Sequence, residues 1–172
     1  IPKLAELNIA GLSFKGYGCA GKSSLLEGII ACELARVDAS IATFFGVQGG
    51  LCMGSIYTCG SEEQKQKWLP QLQQFQKIGA FGLTEPEVGS GAAGGLTTTC
   101  EKTENGWVLN GQKKWIGNAT FADIVVIWAR DVADNQVKGF IVETTTEGFS
   151  VEKIKDKMAL RIVQNGLITM KN

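Results

Sequence analysis

The spacing of apolar residues changes once along the chain, near residues 76–80. Before that point the spacing is helical. Ser24 and Glu27 form a capping-box pattern, and the residues that follow place their apolar side chains on one side of a helix: Leu25, Leu26, Ile29, Ile30, Leu34 and Val37. An uncharged stretch ending near Gly60 predicts a second helix, and residues 61–64 predict a capping box that begins a short polar helix. We expect Pro70 to interrupt that helix, because proline lacks the backbone N–H that a helix interior needs.

From about residue 79 apolar and polar residues alternate, with turn residues between the runs. The pair Asn105-Gly106 between two such runs predicts a hairpin with a tight primed turn. The predicted strands cover residues 97–102, 107–110, 113–116, 124–129, 138–143, 149–154 and 167–170. The long connections of a parallel sheet are missing, so we predict an α+β fold: a partial α-helical N-terminal domain over residues 1–78, then an antiparallel β-barrel domain over residues 79–172.

The uncharged stretch, residues 39–61, carries Gly46, Gly50 and Gly54 at a spacing also found in membrane helices. Its glycines, its hydroxyl side chains and Gln48 keep its hydrophobicity below what a span of about 20 residues needs. We interpret it as a buried helix whose small face lets another backbone or a ligand come close, and we predict no membrane contact.

Charge and residue content exclude several classes of function. The 172 residues carry 17 Lys+Arg and 17 Asp+Glu, so neither net charge nor a basic run favours nucleic acid. The chain has no histidine, which excludes Ser-His-Asp and Cys-His catalysis and zinc sites that need imidazole. Its five cysteines are widely spaced, odd in number and without a CxxC pair, which indicates reduced thiols in a cytosol-like compartment and no metal site.

Residues 16–23 match the P-loop pattern GxxxxGK[ST], in which backbone amides cradle phosphates, Lys22 contacts the terminal phosphates and Ser23 binds magnesium. A P-loop follows a buried strand of a parallel sheet, whereas residues 11–15 are short and half polar and the later strands alternate as antiparallel ones. We therefore favour a glycine-rich turn before the next helix, and a P-loop nucleotide-binding protein is the less favoured alternative.

A second glycine-containing segment, residues 81–91, is followed about two dozen residues later by Trp115. Pro86 fixes one backbone dihedral angle, and Gly89 lets backbone amides face a ligand closely. Trp115 stands at a strand end beside a Gly-Asn turn, where its ring suits stacking on a flat ligand. From the residues alone, a plain turn with a core tryptophan is favoured over a binding site.

The order and approximate spacing of these segments resemble the acyl-CoA dehydrogenase and acyl-CoA oxidase flavoprotein family. The similar runs are Leu-Thr-Glu-Pro at residues 83–86, Gly-Ser at 89–90, Asn-Gly-Gln-Lys-Lys-Trp-Ile-Gly-Asn at 110–118 and Ala-Asp at 122–123. Further similar runs lie at residues 35–40, 60–65, 68–70 and 160–161, so the resemblance covers essentially the whole chain.

The resemblance implies a helical N-terminal domain, a middle β-barrel domain and a C-terminal helical bundle, with FAD between barrel and bundle. The chain is then expected to be a fragment that lacks the bundle and retains FAD weakly or not at all. FAD contacts are implied at Phe81, Gly82, Leu83, Thr84, Gly89, Ser90, Trp115, Ile116 and Gly117. Thr84 and neighbouring amides would lie near the pyrimidine edge of the flavin, Trp115 against the isoalloxazine, and Ser90 also at the CoA part of the substrate.

The reaction implied by the resemblance is α,β-dehydrogenation of an acyl-CoA thioester to a trans-2-enoyl-CoA, with a glutamate as base and the flavin as hydride acceptor. The family carries this base in the bundle, so we expect it beyond Asn172 and assign no catalytic residue here; nothing marks Glu85 or Glu87 as a substitute. The implied partners are an acyl-CoA, electron-transfer flavoprotein or oxygen, and further copies of the chain. The implied location is the cytoplasm of a bacterium, or the mitochondrion or peroxisome of a eukaryote.

Two residues depart from the common pattern of the family. Gly91 stands where many relatives carry aspartate, and Gly117 replaces threonine, which we expect to leave more room near the flavin ring. Plant short-chain acyl-CoA oxidases have similar Trp-Ile-Gly-Asn and Arg-x-Val-Gln-Asn-Gly runs, so an oxidase that passes electrons to oxygen is the nearest alternative. A non-enzymatic β-barrel interaction domain with a helical cap is a third hypothesis.

Overall fold

The computed structural model describes residues 2–89, 91–93 and 95–171. The chain begins with α1 (Pro2–Ala5) and a short hairpin of β1 (Lys15–Gly16) and β2 (Cys19–Ala20). The helices that follow are α2 (Ser24–Val37), α3 (Ala39–Phe45), α4 (Gly54–Cys59) and α5 (Glu62–Gln73), and a π-helical segment, Gly46–Met53, joins α3 to α4.

Two predicted helix boundaries are wrong, and a third is confirmed. Ser23, and not Ser24, caps α2: its hydroxyl accepts a hydrogen bond from the Leu26 N–H at 3.3 Å. Helix α5 continues through Pro70 to Gln73, because α5 buries Trp68, Leu69 and Leu72 in the core and this burial outweighs the hydrogen bond lost at the proline. The capping box that begins α5 is present, with reciprocal side-chain to backbone bonds between residues 61 and 64.

The run from α3 to α4, Ala39–Cys59, is long and apolar enough to cross a membrane by length and composition, so the expectation that its hydrophobicity falls below that level is wrong. In the fold one side of it belongs to the core. Cys52 and Met53 are fully buried, Ile56 is almost so, and all three pack against α5 and the sheet in one cluster. Burial raises the pKa of the Cys52 thiol to about 12, so this cysteine is an inert part of the core.

Seven strands of the described residues form one curled sheet. They are β3 (Gly79–Gly82), β4 (Thr99–Thr103), β5 (Gly106–Ile116), β6 (Ile124–Asp131), β7 (Val137–Glu143), β8 (Phe149–Lys153) and β9 (Gly166–Met170). The order is β3-β6-β4-β5-β9-β8. Strands β3 and β4 pair with successive parts of β6, and β7 pairs along its opposite edge.

The predicted hairpin is confirmed, since β4 and β5 pair antiparallel from Thr103 and Gly106 outwards. The prediction of a purely antiparallel barrel is wrong in one respect, because β3 and β4 both pair parallel with β6. The β4–β5 hairpin itself provides the connection from β3 to β6 that a parallel pair requires. The two strands predicted at residues 107–110 and 113–116 are one strand, β5.

Strand β6 divides the core into two layers, because successive side chains of a strand point to opposite faces. Ile124 and Val126 pack against the helical part, in the cluster that contains Met53. Val125 and Ile127 pack into the interior of the curled sheet. The helical part and the sheet are therefore joined through one face of β6.

The start of β3 is fixed at this junction by two side-chain amides. Gln48, fully buried in the π-helical segment, accepts a hydrogen bond from the Gly79 N–H at 2.7 Å, and Asn118 donates to the Gly79 carbonyl at 3.3 Å. A side chain at Gly79 would collide with Cys52. These contacts set where β3 leaves the helical part, and hence where the loop after β3 lies.

Candidate functional site

The loop after β3, residues 83–89, carries the first group of predicted site residues. Gly82 is buried, and a Cβ there would lie 2.6 Å from Ile127 Cδ1, so any other residue would require Ile127 to shift. Beyond it Thr84 is half-buried and Gly89 is exposed. The Glu85 N–H donates to the Val88 carbonyl at 3.1 Å, and this bond joins the two sides of the loop.

The end of β5 carries the second group. The pairing of β5 with β9 shifts register between Lys113 and Ile116, and in this bulge Trp115 takes a left-handed backbone conformation with φ of 65°. The residue is 53% exposed, with the Lys114 ammonium over its ring at 5.8 Å from the centroid. The bulge thus turns a large aromatic ring out of the sheet.

The two groups, far apart in sequence, lie side by side. The Lys114 N–H donates to the Thr84 carbonyl at 2.8 Å. One residue earlier, the Lys113 ammonium contacts the Glu85 carboxylate at 2.9 Å and the Leu83 carbonyl at 3.1 Å. The loop of residues 83–89 is therefore bonded to the strand end that presents Trp115.

The Glu85–Lys113 pair is completely buried, with both side chains 0% exposed. The Glu85 carboxylate also accepts hydrogen bonds from the Thr97 N–H and hydroxyl, both at 2.6 Å, and from the Thr98 N–H at 2.8 Å. Burial acts to raise the pKa of Glu85, but these hydrogen bonds and Lys113 outweigh it and lower the pKa to about 2. Burial lowers the pKa of Lys113, and Glu85 partly offsets that effect. Glu85 is thus an ionised anchor.

The sequence reasoning missed Lys113 and the threonines that surround Glu85. One signal was available: β5 places Lys113 at an inward-facing position between half-exposed and exposed neighbours. A lysine at such a position needs a buried acceptor, normally a carboxylate. Which carboxylate it meets follows only from the tertiary structure.

The structure also shows which predicted residues present side chains to solvent. Trp115 does, whereas Ile116 is 3% exposed and packs inside the sheet, so only its backbone can meet a ligand. Phe81 is half-buried and its ring packs edge-on against Trp128. The predicted contact at Ser90 lies outside the described residues.

The two glycines that depart from the family pattern are both close to other side chains. A Cβ at Gly117 would lie 3.1 Å from Val47 Cγ2 in the π-helical segment. A side chain at Gly117 would therefore press against Val47. A Cβ at Gly91 would collide with Val88, so the loop as folded has no space for a carboxylate side chain there.

A cleft of about 530 Å³ separates the sheet from the core helix next to Phe81. Phe81 and Trp128 form one wall, and Gly50, Leu51 and Gly54 form the other. Because two of these three helical residues are glycines, the helix leaves the cleft open. The glycine spacing seen in the sequence thus lines a cleft, in agreement with the interpretation of a small helix face open to a ligand.

The P-loop-like segment has another conformation. Its first residues form the β1–β2 hairpin, with Tyr17 and Gly18 at the turn in left-handed conformations of φ 54° and 81°. Ser23 then caps α2. No parallel strand precedes the segment among the described residues, so the glycine-rich turn is confirmed and the P-loop alternative is wrong.

Known protein families match both parts of the chain. The N-terminal domain of acyl-CoA dehydrogenase matches residues 1–76, and the middle domain of acyl-CoA dehydrogenase matches residues 80–172. The chain belongs to the acyl-CoA dehydrogenase family, which confirms the resemblance found in the sequence.

Individual proteins similar to the chain are acyl-CoA dehydrogenases as well. The chain is 36% identical over 171 residues to the short-chain specific acyl-CoA dehydrogenase of Megasphaera elsdenii, covering 95% of this chain and 45% of that protein. It is 32% identical over 162 residues to the mitochondrial isovaleryl-CoA dehydrogenase of Arabidopsis thaliana, covering 92% of this chain and 39% of that protein. The chain thus spans less than half the length of these relatives.

A solved structure confirms the fold. The glutaryl-CoA dehydrogenase of Mycobacterium smegmatis in complex with FADH2 superposes with a TM-score of 0.94 at 40% sequence identity, covering 99% of this chain and 44% of that chain. A helical part followed by a curled mixed sheet is therefore the arrangement of this family.

Proposed function

We propose that this chain is the part of an FAD-dependent acyl-CoA dehydrogenase that holds one side of the flavin and the acyl group of the substrate. The observation that carries the proposal is the contact between the loop of residues 83–89 and the bulge at Trp115, bridged by Lys114 and Lys113. It joins the two segments whose motifs match a flavoprotein family.

The residues of this site suit the flavin. An isoalloxazine ring needs a flat apolar surface and hydrogen-bond donors at its pyrimidine edge. Trp115 supplies a half-exposed indole, and the Thr84 hydroxyl and the amides of the adjoining loop supply donors. FAD, when bound, supplies the hydride acceptor of the reaction. Donors fixed by the Glu85 anchor lose little conformational freedom on binding, which favours affinity.

The cleft beside Phe81 suits an acyl chain. It has an aromatic pair on the sheet side and glycines on the helix side, and Glu27 and three hydroxyl side chains also line it. An acyl group lying there would contact the aromatic pair and lie near the loop of residues 83–89. Dehydrogenation then removes the α-proton to a carboxylate base and the β-hydrogen as hydride, leaving a trans-2-enoyl thioester.

The proposed base lies outside this chain, in the segment that the longer relatives possess. Glu85 is ionised, fully buried and bonded to Lys113 and two threonines, so it has no oxygen free for a substrate proton. Glu87 is exposed on the turn. The chain alone is therefore proposed to be inactive, with an electron-transfer flavoprotein as the acceptor of electrons from the complete enzyme.

Anaerobic addition of short-chain acyl-CoA substrates to the natural-length protein tests this function. We expect a yellow protein whose flavin absorbance near 450 nm falls when the substrate is added. The rate constant of this decrease should be on the order of 1–1,000 s⁻¹. Hydrogen peroxide formed at that rate in air would assign an oxidase instead.

A protein that takes up no flavin would contradict the proposal. Loss of bleaching in Glu27→Gln, whose side chain lines the cleft, would place the base within this chain.

A further inference from the structure

Trp115 is held in a backbone conformation that tryptophan disfavours. With φ at 65°, its Cβ crowds the following carbonyl oxygen, and bulky residues seldom adopt this conformation unless surrounding contacts impose it. The residue is 53% exposed, so burial in the core does not supply that constraint. The constraint must come from contacts to the backbone.

One such contact comes from the loop between β8 and β9. The Asn165 side-chain amide donates a hydrogen bond to the Trp115 carbonyl at 2.9 Å. Asn165 is itself fixed, because its backbone N–H donates to the Val163 carbonyl at 3.0 Å and its carbonyl accepts from the Ile154 N–H at 2.9 Å. The amide that holds Trp115 is therefore part of an ordered turn.

Lys157 organises that turn from its centre. Its ammonium donates to the Leu160 carbonyl at 2.7 Å, to the Val163 carbonyl at 2.6 Å and to the Asn165 side-chain oxygen at 2.6 Å. An ammonium has three N–H donors, and three acceptors match that number. The contact with Asn165 Oδ1 directs the Nδ2 of the same amide towards Trp115.

We propose that Asn165, held by Lys157, is a positioning residue that keeps the Trp115 ring turned out of the sheet in readiness for the flavin. The inference rests on the proposed function, since it assigns Trp115 the flavin as ligand. It adds that the loop of residues 154–165, which lies more than 35 positions further along the chain, determines how well Trp115 is preorganised.

The test compares Asn165→Asp with Gln164→Ala in the natural-length protein. Aspartate retains an oxygen for Lys157 but has no N–H for the Trp115 carbonyl, whereas Gln164 donates only to Ile162 within the loop at 3.2 Å. We expect Asn165→Asp to raise the Kd for FAD about tenfold, as loss of one hydrogen bond and release of backbone strain predict. Gln164→Ala should leave the Kd unchanged.

Repeating the comparison with Trp115→Gly shows whether Asn165 acts through Trp115. Glycine adopts positive φ freely and has no ring to position, so Asn165→Asp should have no further effect on the Kd in that background. An equal loss in both backgrounds would overturn the inference, because the effect would then be a general change of charge or stability. So would an unchanged Kd in Asn165→Asp itself.

A measurement without FAD separates this inference from the proposed function. The Trp115 indole N–H signal in the NMR spectrum of the apoprotein, assigned with Trp115→Phe, should shift or broaden in Asn165→Asp and in Lys157→Met but not in Gln164→Ala. If the wild type binds no FAD, the proposed function fails and this spectrum still decides whether Asn165 positions Trp115. An indole signal unaffected by both variants would overturn the inference.

Discussion

Replacing Lys113 by methionine is expected to destabilise the protein by about 3–5 kcal/mol, because it leaves the Glu85 carboxylate buried without its counter-charge. Methionine has nearly the volume of lysine, so loss of packing is small. The free energy of unfolding from urea titration measures the effect. The variant also loses the bonds of Lys113 to Leu83 and Glu85, which help to hold the loop of residues 83–89 on β5, so it should weaken FAD binding.

Lys77→Met is the matched control for this variant. Lys77 pairs with Asp123 at 3.1 Å, but both side chains are more than one third exposed. Exposed pairs contribute about 0–1 kcal/mol, so this variant should be close to wild type. Equal effects of the two substitutions would contradict the view that the buried pair anchors the site.

Acid is expected to remove about 3 kcal/mol of stability through Glu85 alone. The pKa of Glu85 falls from an ordinary 4.5 to about 2 in the folded protein. A lowered pKa means that folding favours the ionised form, so its contribution is complete above about pH 4.5 and is lost as the pH falls towards 2. The unfolding free energy should therefore decline steeply across this window.

Glu85→Gln isolates this contribution from that of other carboxyl groups. The variant is less stable at pH 7, because Lys113 then lacks its counter-charge, but its stability should fall less between pH 4.5 and 2 than that of the wild type. Urea titrations at several pH values provide both curves. Parallel curves would show that Glu85 is not the acid-sensitive anchor.

The segments of this site were predictable as local structures, but their role in binding followed only from the family resemblance, since the residues alone favoured a core tryptophan and Trp115 is exposed. Glycine and proline in residues 82–89 predict a tight turn, and Trp115 beside a Gly-Asn pair predicts an aromatic ring at a strand end. The unbroken apolar run at the start of β6 likewise predicts a strand with two apolar faces. The order of the motifs along the chain is itself enough to indicate the family.

The contacts that hold the site together were not predictable. The parallel pairing of β3 with β6 depends on where the helical part delivers the chain, which Gln48 and Gly79 determine through tertiary contacts. Lys113 meets Glu85, and Asn165 meets Trp115, across sequence separations of 28 and 50 positions. No local propensity encodes such pairs, and Pro70 shows how burial overrides a local rule.

The most direct test of the proposed flavin site is hydrogen–deuterium exchange of the natural-length protein with and without FAD. The site described above predicts slower exchange on FAD binding at residues 83–89 and 115–117, with residues 16–23 unchanged. Protection confined to residues 16–23, or the absence of protection at both 83–89 and 115–117 in a protein that binds FAD, would contradict it.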